Sequence, residues 1–151
     1  MFVVHTAVVE AGIAEVEHAI QSLRSEMGSW ADLAYREGEQ LRARVGPTRA
    51  IAREVELEIG TPEIQGRGLF YPVRWTAQSA ALLFPELDAD LVLESTGLHR
   101  TAITLQGNYK PPLGTLGRLA DRAGLRKVAE MTVANWVERL TAALSREVRP
   151  A

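Results

Sequence analysis

The sequence predicts an α+β domain in which a curved antiparallel sheet wraps around a long C-terminal helix. Three observations predict it. Apolar and polar residues alternate with period two in several short runs between Ala50 and Tyr109, a helical period takes over after Gly124, and the elements follow in a telling order. That order is one strand, two short helices, a series of strands, then one long helix. At 151 residues, with no internal repeat, low-complexity stretch or linker, residues 1–151 read as a single domain.

The first strand is the β-branched run Phe2–Val9, which Ala11-Gly12 ends. Ile13, Val16, Ile20, Leu23, Met27 and Trp30 then fall on one helical stripe, with Glu15, Glu17, Arg24 and Glu26 around the other faces. Gly28-Ser29 interrupts it, and a second helical piece runs from about Trp30 to Arg44 before Gly46-Pro47. From Ile51 to Ile59, Val55, Leu57 and Ile59 alternate with Glu54, Glu56 and Glu58. One greasy and one charged face mark a strand with a wet side, so the three glutamates read as solvated rather than as an acid–base cluster.

Thr61-Pro62 and Gly66-Arg67-Gly68 mark a turn region. The next strand places Leu69, Tyr71, Val73 and Trp75 on one face and Phe70, Arg74, Thr76 and Gln78 on the other. Pro72 has no amide donor, which predicts an edge strand or an interruption there. Ala80–Phe84 reads as a short strand or turn; Leu87, Ala89, Leu91 and Leu93 line one face of another strand. Thr96-Gly97 turns the chain into a last strand from Arg100 to Tyr109, completing a meander. After Pro111–Gly114, Leu116, Leu119 and Ala120 begin a helical approach and Gly124 allows a bend. Val128, Thr132, Trp136, Leu140 and Leu144 then describe one amphipathic helix, long enough to lie along the sheet.

Composition narrows the chemistry. The hydrophobic share of 46% and charged share of 24% belong to a globular chain. Seventeen Lys and Arg against nineteen Asp and Glu leave a net charge of −2, so no nucleic-acid partner is expected. Without cysteine there is no disulfide, thiolate nucleophile or Cys-ligated metal. His5, His18 and His99 are widely separated and lack metal-ligand spacing, and no serine lies in a nucleophile elbow, so neither a metal nor a cofactor is expected. The apolar start has no basic segment before it and no run approaches the ~20 residues of a membrane span. The expectation is a cytoplasmic protein without membrane insertion, monomeric or homodimeric. Arg42, Arg44, Arg49 and Arg53 suit the stabilisation of a helix C-terminus better than an anion site, and Gly66-Arg67-Gly68 suits a turn better than a phosphate loop.

A sheet over a helix has an interior, and here Tyr71, Trp75, Tyr109 and Trp136 fall on the inward faces among the aliphatic residues Leu57, Leu91, Leu105 and Leu140. Apolar walls with a few polar tips are the composition of a small-molecule site, although the same residues would also serve to fill a core. Arg74, between Val73 and Trp75, should point outward.

The order of elements resembles the helix-grip fold of the START-like, or SRPBCC, superfamily, which includes birch-pollen-allergen-like proteins and polyketide cyclases or dehydrases. The motifs that carry the resemblance are Tyr71-Pro72-Val73-Arg74-Trp75, Leu83-Phe84-Pro85-Glu86-Leu87-Asp88-Ala89-Asp90-Leu91, Gly107-Asn108-Tyr109-Lys110-Pro111-Pro112-Leu113-Gly114 and Ala129-Glu130-Met131-Thr132-Val133. They are most similar to small bacterial members of unassigned activity. The resemblance implies a cavity between sheet and C-terminal helix that takes a lipid, sterol, polyketide or other apolar molecule, and it transfers no catalytic set. The expected function is therefore binding of a small hydrophobic or amphipathic ligand lined by Leu57, Tyr71, Trp75, Leu91, Tyr109, Leu105, Trp136 and Leu140. A polyketide cyclase or dehydratase acting in the same cavity is the first alternative. A protein-interaction module using the exposed sheet or the Arg42–Arg53 region is the second.

Overall fold

The computed structural model describes residues 1–24, 27, 55–77, 86–110 and 122–148. In chain order these form β1 (Phe2–Val9), α1 (residues 13–24), β2 (Val55–Ile59), β3 (Glu63–Gln65), β4 (Gly68–Ala77), β5 (Glu86–Gly97), β6 (Arg100–Lys110) and α2 (Arg122–Val148). The strands make one antiparallel sheet in the order β1-β6-β5-β4-β2, with β3 also paired to β4. The predicted α+β helix-grip architecture is the one observed: an open antiparallel sheet with a long C-terminal helix on one face.

The alternation decides which face is which. Val3 and Val9 of β1, Tyr71, Val73 and Trp75 of β4, Leu87, Leu91 and Leu93 of β5, and Ile103, Leu105 and Tyr109 of β6 are all buried. The intervening Phe2, Val4, Arg74, Asp88 and Asn108 are exposed. Sliding any strand by one residue would exchange these faces, so burial of one face fixes the register. α2 covers it with Ala129, Val133, Trp136, Val137, Leu140 and Leu144, all buried. Its 27 residues rise about 40 Å, and the twelve residues of β5 extend about as far, so helix and sheet match in length.

α2 packs most closely against β1 and β6, where His5 Nε2 donates to Glu138 Oε1 at 2.9 Å. α1 presents Val16, Ile20, Leu23 and Met27 to the same core. Three side chains bonded to main-chain oxygens lock the layers together. Trp136 Nε1 donates to the Met27 carbonyl (3.2 Å), joining α2 to α1. Thr101 Oγ1 donates to the Ala11 carbonyl (2.8 Å), holding the turn between β1 and α1 to β6. Arg24 Nη2 donates to the carbonyls of Ile59 (3.1 Å) and Gly60 (3.0 Å), fastening α1 to the end of β2.

The structure departs from the sequence reading at four places. The predicted turn region after Thr61-Pro62 contains a three-residue strand, β3, which pairs with the start of β4 around Gly66. Gly66 has φ of 59°, a conformation that costs a glycine little. At Pro72 the interruption is in the neighbour, because β3 pairs with β4 only as far as Phe70 and β2 only from Val73. Pro72 O accepts from Gly60 N (2.8 Å) on that side, and in a strand a residue's N and C=O point the same way. The missing amide thus faces the gap between two partial strands. β5 runs on through Gly97, so the turn falls at Leu98-His99, with an irregularity between Ser95 and Gly97. Finally, Gly124 lies inside the first turn of α2, which starts at Arg122. The second helical piece from Trp30 to Arg44, the run Ile51–Glu54, the segment Ala80–Phe84, the approach Leu116–Ala120 and the Arg42–Arg53 region lie outside the described residues.

One position sets how closely two central strands approach. A Cβ on Gly107 would stand 2.4 Å from both Ala89 Cα and Asp88 O, and 2.5 Å from Ala89 Cβ. Main-chain atoms cannot rotate away, so β6 and β5 could not keep this spacing with any larger residue. At Gly97 the nearest atom to a new Cβ would be Arg100 Cβ at an ordinary 3.6 Å. Gly107→Ala should therefore lower unfolding free energy by about 3 kcal/mol or more. Gly97→Ala should stay within about 0.5 kcal/mol of the parent, both measured by urea titration.

Candidate functional site

The sheet register brings the predicted lining residues together in two rows across the inner face. Tyr71 pairs with Leu91, Leu91 with Leu105, and Leu105 with His5. Leu57 pairs with Trp75, Trp75 with Leu87, and Leu87 with Tyr109. α2 lowers Trp136 onto the second row, where its ring meets Trp75 edge-on with centroids 6.0 Å apart and planes at 76°. That arrangement sets the positive edge of one indole against the negative face of the other. Leu140 follows one turn later and is buried. Of the eight predicted residues Leu57 alone is partly buried; the rest sit within the core.

Their polar tips differ in what they do. The Trp136 indole donates to Met27, so this N–H serves the fold and the ring serves as wall. Thr101 and Thr141 are likewise satisfied by main-chain carbonyls, of Ala11 and Val137. Tyr71 is the exception. Its side chain is wholly buried, and among the described residues its hydroxyl is the buried side-chain nitrogen or oxygen that has no hydrogen-bond partner. Leaving such a group unmet costs about 1–3 kcal/mol. Orphans of this kind are rare in native cores.

Three polar side chains of α1 act on this phenol, Glu17, Gln21 and Arg24, spaced to lie on successive turns. The Gln21 amide approaches the phenol without completing a hydrogen bond of good geometry. Burial pushes the phenol's pKa above its usual value and the Glu17 carboxylate pushes the same way, while Arg24 and Gln21 oppose. The phenol therefore stays protonated, a donor held in apolar surroundings. The sequence reading missed the α1 residues. Their signal was a polar stripe at 17, 21 and 24 running directly beside the apolar stripe at 16, 20 and 23.

Arg74 points outward as expected and lies 3.8 Å from Asp88, both side chains in solvent. Two shallow hollows among the described residues open near them. One of about 410 Å³ is lined by Glu58, Gly60, Pro72, Arg74 and Asp88 among others, and the second includes Phe2, Asp90, Gln106 and Asn108. Neither reaches Tyr71. Among the described residues no three His, Asp or Glu side chains are grouped to hold a metal ion, and no helix is long and apolar enough to cross a membrane.

No protein-family model matches the chain, and no curated protein does. Solved structures do. TTHA0849 from Thermus thermophilus superposes with a TM-score of 0.51 at 15% identity, over 95% of this chain and 97% of that one. The hypothetical protein jhp0584 from Helicobacter pylori gives 0.49 at 13% identity, over 94% and 86%. The Zhui aromatase/cyclase from Streptomyces sp. R1128 gives 0.39 at 15% identity, over 98% and 90%. At such identities the likeness to TTHA0849 speaks for the fold alone.

The orphan hydroxyl has a measurable consequence. Tyr71→Phe keeps the ring and removes the unmet group, so it should raise unfolding free energy by about 1 kcal/mol, or the melting temperature by about 2–4 °C. The pH dependence carries the same signature. Because the folded-state pKa lies above the unfolded value near 10, the unfolded chain releases this proton first. The contribution is fully present below about pH 10 and is lost as pH rises from there through the folded value. Alkaline melting curves of Tyr71→Phe should fall off less steeply over that range than those of the parent.

Proposed function

We propose that this protein binds a small hydrophobic or amphipathic molecule, of lipid, sterol or polyketide-like character, between the inner face of the sheet and α2. One observation carries the reading: a wholly buried phenol without a partner, at the edge of an interior walled by Trp75, Trp136, Tyr109 and four leucines. A chain that needed only a core would gain by placing phenylalanine there. The resemblance to the SRPBCC superfamily adds support, since it implies an interior ligand. Apolar burial supplies the affinity at roughly 25 cal/mol per Å², less the cost of ordering. The phenol supplies orientation.

Entry needs movement. The Tyr71 oxygen is out of reach of water, so a ligand arrives as α1 and its exposed Gln21 give way. α1 is tied to β2 by the Arg24 bonds and buries Val16, Ile20 and Leu23 against the core, so entry requires it to leave both.

The same phenol favours one further reading, a cyclase- or dehydratase-type enzyme. A protonated hydroxyl beside a carboxylate can polarise a carbonyl and relay a proton, which is general acid–base work. Turnover that vanishes in both Tyr71→Phe and Glu17→Gln while ligand binding persists in Glu17→Gln would select this reading.

The binding proposal is tested with a panel of fatty acids, sterols and aromatic polyketides. A true ligand at a hundredfold excess over Kd should add about 2.7 kcal/mol, or roughly 5 °C or more in melting temperature. It should also change the tryptophan emission, because the Trp75–Trp136 pair lies in the wall. A flat response in both measurements across the panel would count against an interior site.

A further inference from the structure

We infer that the Tyr71 end of this interior selects a ligand carrying a neutral hydrogen-bond acceptor, such as a ketone, ester or quinone carbonyl, and turns away carboxylates. The inference rests on the interior site proposed above and names the chemistry of what it holds.

The first step is an inventory of donors. Among the described buried groups, Trp136 N–H, Thr101 O–H and Thr141 O–H each reach a main-chain carbonyl. The Tyr71 hydroxyl does not. A hydroxyl offers one proton and two lone pairs, and an unmet proton is the more costly vacancy, since acceptors with spare lone pairs are common in proteins and orphaned donors rare. The missing partner is therefore an acceptor. A ligand that only donated would occupy a lone pair and leave the proton unmet.

Charge is the second step. Two ionic side chains of α1 act on the phenol, Glu17 and Arg24. Arg24 is held by the carbonyls of Ile59 and Gly60, at the end of the strand that flanks β4. Its Nη2 is committed to these two oxygens, and the Glu17 carboxylate acts against any anion at the phenol's position. A carboxylate entering here would lose its water in a place closed to solvent and feel Glu17, the larger of the two charge influences on the phenol. A carbonyl needs only the phenol's proton. The raised pKa of Tyr71 agrees: burial, its largest cause, disfavours any anion at this place, the phenolate included.

Space is the third. Gln21 lies one turn from both charged residues, ends in solvent, and approaches the phenol without bonding it well. The carbonyl of a ligand takes the place that the Gln21 amide fails to fill.

Three probes of one shape separate the possibilities: methyl naphthyl ketone, ethylnaphthalene and naphthoate, titrated by calorimetry into the full chain. The ketone should bind about three- to tenfold more tightly than the hydrocarbon, the gain of one neutral hydrogen bond. Naphthoate should bind weakest. Tyr71→Phe should abolish the preference for the ketone while leaving ethylnaphthalene unchanged. Glu17→Gln should improve naphthoate severalfold and move the other two little. Equal binding of ketone and hydrocarbon by the parent chain, or naphthoate as its tightest probe, would overturn the inference while leaving the interior site standing. Absence of binding by all three would remove the site itself, and the selectivity with it. The parent chain's ranking decides the matter even if a variant folds poorly.

Discussion

Two apolar surfaces that cannot face water hold this protein together: the inner face of the sheet and the buried stripe of α2. Neither is stable alone. An open sheet of short strands needs one face covered, and a helix of this length, with a stripe from Ala129 to Leu144, needs something equally long to cover. Their lengths agree, and the remaining features follow from fitting one against the other. Register is fixed because a slip would turn Leu91, Leu105 and Tyr71 outward together. Spacing is fixed because Gly107 and Ala89 meet where no larger side chain fits.

α1 closes the arrangement in a different way. Its apolar residues join the core, but what places it is a set of side-chain bonds to main-chain oxygens at Met27, Ile59 and Gly60. Such bonds are directional and few, each worth about 1 kcal/mol net. α1 also buries Val16, Ile20 and Leu23, so apolar contact holds it as well, while β5 and β6 are paired along their whole length at the centre of the sheet. The described polar residues that act on Tyr71 belong to α1.

This division explains what could be read from the sequence. The period-two runs gave every long strand, and the faces assigned to Leu69–Trp75, Leu87–Leu93 and Ile103–Tyr109 are those observed, because burial of one face is itself a local pattern. β3 escaped because three residues with exposed side chains carry no alternation to detect. The end of β5 was misplaced at Thr96-Gly97 because a glycine signals a turn equally well just before it or within it. For the site, the lining residues were legible as inward-facing positions, but their bonding was not. Whether Trp136 or Tyr71 keeps a free polar tip depends on where α1 sits, more than a hundred residues from Trp136 in the chain. The polar stripe of Glu17, Gln21 and Arg24 looked like an ordinary wet face, and only packing beside β4 gives it another meaning.

A buried hydroxyl is tolerable when it bonds, and a protein has many ways to make it bond. Thr141 turns to the carbonyl one helical turn back, and Thr101 to the carbonyl of Ala11. Tyr71 has neither course, because in a strand its own main-chain neighbours are engaged in the sheet. Phenylalanine would fill the same volume without the penalty. On the proposed function a bound ligand meets this hydroxyl, the unmet buried side-chain polar atom among the described residues. On this view the unliganded fold is stable despite Tyr71, and the oxygen marks where the energy of binding is to be recovered.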